Sequence, residues 1–296
     1  MNKEQEKIMH SNQGFIAALD QSGGSTPKAL LGYGITANDY NNEEEMFGLI
    51  HKMRTRVITS PSFTSKEILG AILFEKTMDS EIDGKLTADY LWENKHIVPF
   101  LKIDKGLADE VNGVRVMKPM PTLDDLLKKA VKRHIFGTKE RSVINAANPE
   151  GIKEVVAQQF EVAKKVISYG LVPIVEPEVT ISILDKKEAE DILLKEIENN
   201  LKILKPSDKI ILKLSLPTVA GLYDKISKDP HIVRVVALSG GYSRDEANKL
   251  LKKNKCMIAS FSRALLNDLR VQQSDDDFNA KLKEAIDSIY NASCKK

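Results

Sequence analysis

The sequence predicts an α/β fold, a (β/α)8 TIM barrel that forms a single domain over residues 1–296. Eight short apolar runs alternate with longer amphipathic stretches, which is typical of repeated strand–helix units around a parallel sheet. Several of these runs are apolar on both faces, as expected for strands that are covered on both sides. The length agrees, because a barrel of this kind needs roughly 250 residues.

The eight strands are predicted at residues 14–20, 68–75, 97–104, 141–145, 171–179, 209–216, 233–240 and 257–263. Helices are predicted at 43–56, 122–133, 151–169, 189–204, 244–254 and 275–290, with a shorter one at 218–228. Residues 74–90 are expected to form a charged loop, residues 1–13 an N-terminal segment, and residues 275–296 a C-terminal helix and tail. An open doubly wound sheet is the alternative. It is disfavoured because no GxGxxG follows the first strand and no Walker A motif is present.

Composition excludes several classes of protein. The net charge of +2 comes from 44 basic and 42 acidic residues, so no long-range field would collect nucleic acid or an anionic membrane. The polar start lacks the apolar core of a signal peptide, and no apolar run is long enough to span a bilayer. We therefore expect a cytoplasmic protein without nucleic-acid or membrane partners; the sequence also allows a homo-oligomer.

Neither a metal nor another cofactor is expected. The five histidines are scattered and form no HxH or HExxH cluster. Cys256 and Cys294 form no CxxC motif and no disulfide framework, and we interpret them as a buried thiol and a tail thiol.

Barrel enzymes place their active sites at the carboxyl ends of the strands, so polar residues at these ends are candidates. Asp20 ends the first strand, and the small residues 21–25 that follow it could bind an anion through backbone N–H groups. The same residues could instead form a helix cap and a turn. In the third strand, Lys102 and Asp104 share a face with Phe100.

The fifth and sixth strands carry the most informative polar residues. Alternation puts Glu176 and Glu178 on one face, where two confined carboxylates should repel and one should hold a proton more tightly. Such groups serve as general acids and bases. Lys213 lies between apolar neighbours in mid-strand, and burial favours a neutral amine that can attack a ketone. An ion pair between Lys213 and one of the two glutamates is the structural alternative.

The seventh and eighth strands end in residues that suit a phosphate. Barrels often bind phosphate between the loops that follow these strands. The seventh strand ends in Ser239, Gly240 and Gly241, and the eighth ends in Ser262 and Arg263. Glycines let the backbone approach an anion, and arginine adds a bidentate donor.

These segments occur in an order and spacing that resembles class I fructose-1,6-bisphosphate aldolase, in its shorter bacterial form. The resemblance covers roughly residues 14–266 and is carried by IAALD, LKIDKG, VPIVEPE, ILK, LSGG and SFSRAL. It implies reversible cleavage of fructose 1,6-bisphosphate to glyceraldehyde 3-phosphate and dihydroxyacetone phosphate, in glycolysis and gluconeogenesis. The reaction would run through a lysine Schiff base and without a metal.

The resemblance also implies individual roles. Lys213 matches the Schiff-base lysine, Glu176 the acid/base glutamate, Glu178 its neighbour, and Asp20 the aspartate near the scissile bond. Lys139, which would polarise the reacting centre, and Arg141 match a KxR pair. The remaining matches would bind phosphate: Ser239, Gly240, Gly241, Ser262 and Arg263 at one end, and Lys102, Ser22 and Ser25 at the other.

The chain also departs from the family pattern. Asp20-Gln21 stands where the family often has Asp-Glu, and Ala29 stands where it often has arginine. The residues Cys294-Lys295-Lys296 replace a long tail with a final tyrosine. Lys139 precedes the predicted fourth strand and Arg141 opens it, whereas site residues normally lie at strand ends.

Two other functions fit the same features. Another Schiff-base barrel, such as a transaldolase-like enzyme, would also use a strand lysine and would differ in substrate profile. A non-catalytic sugar-phosphate-binding barrel would bind the same ligand without forming an imine. A metal-dependent class II aldolase would lose activity with a chelator, and the scattered histidines disfavour it.

Overall fold

The computed structural model describes residues 2–296, and its centre is a closed barrel of eight parallel strands. The strands are β1 Phe15–Leu19, β2 Ile68–Leu73, β3 Val98–Lys102, β4 Gly137–Ile144, β5 Val172–Val179, β6 Ile210–Ser215, β7 Ile232–Leu238 and β8 Met257–Phe261. They pair in the order β3-β2-β1-β8-β7-β6-β5-β4, and an additional pairing of β3 with β4 closes the ring. This confirms the predicted (β/α)8 barrel.

Helices connect the strands and cover the barrel. They are α1 Lys3–Ser11, α2 Ser25–Tyr33, α3 Glu43–Thr59, α4 Leu123–Lys132, α5 Pro149–Ser168, α6 Lys186–Leu201, α7 Arg244–Lys252, the single turn α8 Arg263–Leu266 and α9 Asp275–Cys294. Shorter helical segments lie at Ala37–Asp39, Glu75–Met78, Thr87–Asp89, Tyr90–Asn94 and Ile226–Lys228. Within residues 2–296, none of the helices has the length and apolarity needed to cross a membrane.

Local sequence explains where the long helices begin. The side chain of Asn148 accepts a hydrogen bond from the Gly151 N–H, and Pro149 opens α5, where its missing N–H costs nothing. Ser243 and Glu246 form a reciprocal capping box at α7. These polar caps satisfy backbone groups that the first helical turn leaves free.

Three predictions about individual elements are wrong: one strand start, one helix and one loop. β4 begins at Gly137 rather than at residue 141, because the run from Thr138 to Arg141 is polar and breaks the apolar pattern of a buried strand. Residues 218–228 are mostly turns, with a 3-10 segment only at Ile226–Lys228. Residues 74–90 hold a small antiparallel hairpin, Glu81–Ile82 with Lys85–Leu86, flanked by short helices.

The barrel lumen contains its own apolar cluster below the charged residues. Phe100 and Phe136 meet edge to face with ring centroids 5.5 Å apart, and Met9 of α1 belongs to the same cluster. Gly137 makes room for this packing, because a Cβ there would lie 2.1 Å from the Val172 carbonyl oxygen and 2.8 Å from the Phe100 ring. A second, larger cluster fills the space between strands and helices.

Candidate active site

A cavity of about 430 Å³ opens at the carboxyl ends of the strands. It gathers candidates that are far apart in the sequence, from Asp20 to Arg263. Of the site residues that the family resemblance implies, Gly241 alone is not among the lining residues. The other candidates all line it: Asp20, Ser22, Ser25, Lys102, Lys139, Arg141, Glu176, Glu178, Lys213, Ser239, Gly240, Ser262 and Arg263.

Four buried charges form a chain of ion pairs across the lumen. The Lys213 Nζ lies 3.1 Å from Oε1 of Glu176. The Lys139 Nζ lies 3.0 Å from Oε2 of the same Glu176 and 2.7 Å from Oδ2 of Asp20. Oε2 of Glu176 is within ion-pair distance of Lys139 but lacks the angles of a hydrogen bond. Lys139 therefore has two carboxylate partners, whereas Lys213 has one and shares it.

The pKa values of Asp20 and Lys139 follow from this arrangement. Burial by itself would raise the pKa of Asp20, but the charges of Lys139 and Lys213 outweigh it and hold that pKa well below its usual value. Burial would lower the pKa of Lys139, but Asp20 and Glu176 outweigh it and raise that pKa above the usual lysine value. At neutral pH, Asp20 is thus a carboxylate and Lys139 an ammonium.

The alternation pattern predicted that the two glutamates of β5 share a confined space and repel each other. In the structure each of them is paired with a cation. Glu178 accepts a 2.5 Å hydrogen bond from Nε of Arg141, while Glu176 lies between Lys139 and Lys213. The prediction of repulsion between the two carboxylates is therefore wrong, because nearby cations offset the charge of each one. The ion pair that was the structural alternative for Lys213 is also present.

Lys102 and Arg141 complete one wall of the cavity. The Lys102 Nζ lies 2.6 Å from Oδ1 of Asp104, and Lys102 is the register partner of Lys139 across the β3–β4 pairing. Lys139 and Arg141 lie within β4 and line the cavity. The earlier start of this strand resolves their apparent misplacement in the sequence.

The loops after β7 and β8 form the opposite wall. Gly240 and Gly241 have φ values of +60° and +116°, which favour glycine. A Cβ at Gly240 would lie 2.6 Å from Cγ2 of Ile181, so this position has no room for a larger residue. Arg263 lines the cavity beside these loops and takes part in none of the ion pairs found among residues 2–296.

Of the two interpretations of residues 21–25, the turn is seen directly. The Ser25 hydroxyl donates to the Ser22 carbonyl at 2.8 Å and accepts from the Ser22 N–H at 2.9 Å. This geometry closes the loop into α2. Both serines still line the cavity, so the turn does not remove them from the site.

Sequence reasoning missed a buried arginine behind this loop. Arg54 of α3 is completely buried and donates to the carbonyl oxygen of Gln21 and to Thr77 Oγ1. The sequence does contain a signal, because Arg54 lies four residues after Ile50, on the face of α3 that points into the core. A cation at such a position is unusual.

Glu140 is a second buried ionisable residue that the sequence analysis did not identify. It is fully buried, one residue from Lys139 but on the other face of β4. Burial raises the pKa of its carboxyl well above the usual value, and the charge of Asp104 raises it further. Its Oε1 has no hydrogen-bond partner among residues 2–296, so no hydrogen bond at that oxygen stabilises the charged form.

Across the described part of the chain, residues 2–296, no group of three or more His, Cys, Asp or Glu side chains is arranged to hold a metal ion.

Comparison with known proteins agrees with this geometry. The family model described as fructose-bisphosphate aldolase class-I matches residues 1–204. Among solved structures, the fold is similar to fructose-bisphosphate aldolase from Plasmodium falciparum, determined in complex with TRAP and a small-molecule inhibitor. The TM-score is 0.77 at 20% identity, over 98% of this chain and 92% of that chain. At this identity the structural likeness shows the fold alone, while the family model covers well over half of the 296 residues. The chain belongs to the class I fructose-bisphosphate aldolases, glycolytic carbon–carbon lyases that act on a phosphorylated sugar.

Proposed function

We propose that this aldolase cleaves fructose 1,6-bisphosphate through a Schiff base on Lys213, with Glu176 as the main proton carrier. One observation carries the assignment. Two buried lysines lie on either side of Glu176, and they differ in how many carboxylates they contact. From that difference we assign Lys213 as the nucleophile and Lys139 as the cation that stabilises negative charge.

Lys139 is unsuited to nucleophilic attack. Its raised pKa keeps it an ammonium, and an ammonium has no lone pair to form a bond with a carbonyl carbon. Among the ion pairs of residues 2–296, Lys213 has a single partner, Glu176, whose charge Lys139 already offsets in part. Loss of one proton to Glu176 leaves Lys213 as a neutral amine at the floor of the cavity, where it can attack the ketone.

Glu176 is placed to move the protons of imine formation. The Lys213 nitrogen bonds to the ketone carbon, and the resulting carbinolamine loses its hydroxyl as water with a proton from Glu176. The imine that remains is cationic. Because Glu176 Oε1 lies 3.1 Å from the Lys213 nitrogen, the proton has a short path in both directions.

The cationic imine then serves as the electron acceptor for bond cleavage. A base, Glu176 or Asp20, takes the proton from the hydroxyl on the departing carbon, and the carbon–carbon bond electrons move into the imine to give an enamine. Glyceraldehyde 3-phosphate leaves. Protonation of the enamine carbon and hydrolysis of the imine release dihydroxyacetone phosphate and restore Lys213.

The phosphates of the substrate fit the two walls of the cavity. Ser239, Gly240, Ser262 and Arg263 offer donors and a free cation on one side. Lys102 lines the cavity from β3, and Ser22 and Ser25 line it from the loop between β1 and α2; we expect these three residues to bind the second phosphate. Anchoring both phosphates would hold the ketone against Lys213 and align the scissile bond.

Borohydride trapping tests the nucleophile. The protein is incubated with fructose 1,6-bisphosphate or dihydroxyacetone phosphate in EDTA, reduced with borohydride, and mapped by peptide mass spectrometry. We expect one sugar-phosphate adduct on Lys213. Lys186 is an internal control, because it is also buried but is paired with Glu190 outside the cavity.

Other results would contradict the proposal in different ways. An adduct on Lys139 or Lys102 would keep the Schiff-base chemistry and overturn the assignment of roles. Binding of substrate without any adduct would point to a sugar-phosphate-binding barrel. Loss of activity in EDTA would point to metal-dependent chemistry.

One further proposal concerns the protein in the cell. Cytoplasmic localisation is proposed from the balanced charge and from the absence of a membrane-spanning helix among residues 2–296; imaging of the tagged full-length chain checks it. The sequence allows a homo-oligomer without specifying one, and light scattering of the purified protein measures the oligomeric state.

A further inference from the structure

Arg54 is a buried cation that has no carboxylate partner among the ion pairs of residues 2–296. Its side chain is completely buried. Burial lowers the pKa of Arg54 to about 10, and the charge of Asp20 opposes this shift, so the group is charged at neutral pH. Burying an unpaired charge is costly, and the proposed aldolase steps do not use it.

The contacts of Arg54 point towards the cavity. Its Nη1 donates to Thr77 Oγ1 at 2.7 Å. Its Nη2 donates to the backbone carbonyl oxygen of Gln21 and lies 3.3 Å from the Gln21 side-chain oxygen Oε1. Gln21 in turn donates from Nε2 to Ser262 Oγ at 2.7 Å. A continuous chain of hydrogen bonds thus joins α3 to the loop after β8.

The chemistry of the groups determines which group donates and which accepts in each hydrogen bond of this chain. A guanidinium has donors only, so the Gln21 atom that faces Arg54 must be the carbonyl oxygen Oε1. The amide nitrogen of Gln21 then faces Ser262 and must donate to its hydroxyl oxygen. Because Ser262 Oγ accepts this bond, its own proton remains free to point into the cavity.

We propose that Arg54 and Gln21 are positioning residues that hold the Ser262 hydroxyl as a hydrogen-bond donor to a phosphate of the substrate. This inference rests on the proposed phosphate-binding role of Ser262. A phosphate oxygen only accepts hydrogen bonds, so a serine that is free to rotate would spend part of its time with its proton turned away. Gln21, which also lines the cavity, removes that alternative by donating to the Ser262 oxygen.

Gln21→Met tests the proposal, because methionine has similar length and volume but cannot donate to Ser262. We expect KM for fructose 1,6-bisphosphate to rise about tenfold, as for partial loss of a hydrogen bond to a charged group, while kcat changes less than twofold.

The chain offers a matched control. Gln159 and Ser142 form the same type of pair, with Nε2 donating to Oγ at 2.9 Å, but both are fully buried away from the cavity. Gln159→Met should lower the melting temperature and leave KM within twofold of wild type. An equal rise in KM for both glutamine variants would mean that the effect is a general loss of stability, and would overturn the inference.

A double-mutant cycle separates the inference from the role on which it depends. Ser262→Ala should raise KM about tenfold in the wild type but less than twofold in the Gln21→Met background, because the two residues act as one unit. If Ser262→Ala leaves the wild-type KM unchanged, the proposed phosphate contact itself is wrong. If it raises KM equally in both backgrounds, the contact stands and the positioning by Gln21 is wrong.

Arg54→Met extends the test to the start of the chain. We expect KM to rise as in Gln21→Met, with no further rise when the two changes are combined. An additive rise would show that Arg54 acts independently of Gln21. Where this variant does not fold, the Gln21 and Ser262 variants decide the proposal on their own.

Discussion

The upper part of the barrel lumen is charged, and the part immediately below it is apolar. The same strands supply both, because side chains two residues apart lie on the same face of a strand. In β6, Ile211 belongs to the apolar cluster and Lys213 to the charged chain; in β5 the corresponding residues are Ile174 and Glu176. A residue in the apolar cluster and a charged residue of the site are therefore only two positions apart on the same strand.

The two layers are also stabilised differently. Phe100, Ile174 and Ile211 are completely buried and belong to one apolar cluster, so burial of apolar surface stabilises this layer. The charged layer holds together because its cations and carboxylates alternate, which offsets the cost of removing them from water. We therefore expect substitutions above the boundary to change turnover and those below it to change stability.

The largest expected effect is on turnover, from Lys213→Met. Methionine retains the length and packing of the side chain but cannot form an imine, so we expect kcat to fall by about 10⁵-fold or more. Steady-state assays with fructose 1,6-bisphosphate measure the loss, and circular dichroism checks the fold. A correctly folded variant with more than 1% of wild-type turnover would remove Lys213 from the mechanism.

Glu176→Gln should have the next largest effect. The amide cannot accept or release the proton of imine formation, so we expect kcat to fall by about 10²- to 10⁴-fold. Glu178→Gln serves as the comparison, because Glu178 is paired with Arg141 rather than with a lysine of the central chain. If both variants lost the same activity, Glu176 would have no special role in proton transfer.

Phe100→Ala tests the lower layer. Removal of this buried ring should lower the free energy of unfolding by about 3–5 kcal/mol, while KM and kcat of the folded fraction stay within a few-fold of wild type. Urea unfolding measures the first quantity. The exposed Leu184 provides a control, since Leu184→Ala removes no buried contact. A complete loss of turnover in folded Phe100→Ala would show that the two layers are not separable.

Glu140→Gln extends the comparison to the outer face of β4 and should have the smallest effect. The folded chain keeps a proton on Glu140 that the unfolded chain releases above about pH 4.5, the ordinary glutamate value. Its contribution to stability is therefore present in full below that pH and is lost as the pH rises towards its raised native pKa. The amide does not titrate, so Glu140→Gln should be more stable than the wild type at pH 8.

Thermal melts of wild type and Glu140→Gln at pH 5 and pH 8 measure this difference. The stabilisation should be larger at pH 8 than at pH 5. Glu161→Gln is the control, because this substitution removes the same formal charge from an exposed position on α5. Equal shifts for the two variants at both pH values would mean that Glu140 carries no proton in the folded state.

Local pattern was sufficient to identify the strands and most of the site. All eight barrel strands were found from apolar runs, because burial on both faces leaves a signal within a few residues. Asp20, Glu176 and Lys213 stood out because a charged side chain in or at the end of such a run is unusual. The start of β4 was missed because Lys139 and Arg141 face the cavity and so make that strand polar.

What the sequence by itself determined is the fold, the carboxyl end of the barrel as the site, and the residue types present there. Only the tertiary structure decided which charges are paired. Glu176 contacts Lys139 and Lys213, 37 residues away on either side in sequence, and Gln21 contacts Ser262, 241 residues away. Periodicity reports which face of an element is buried, but a partner on another strand or helix is set by closure of the barrel, and no local pattern contains that information.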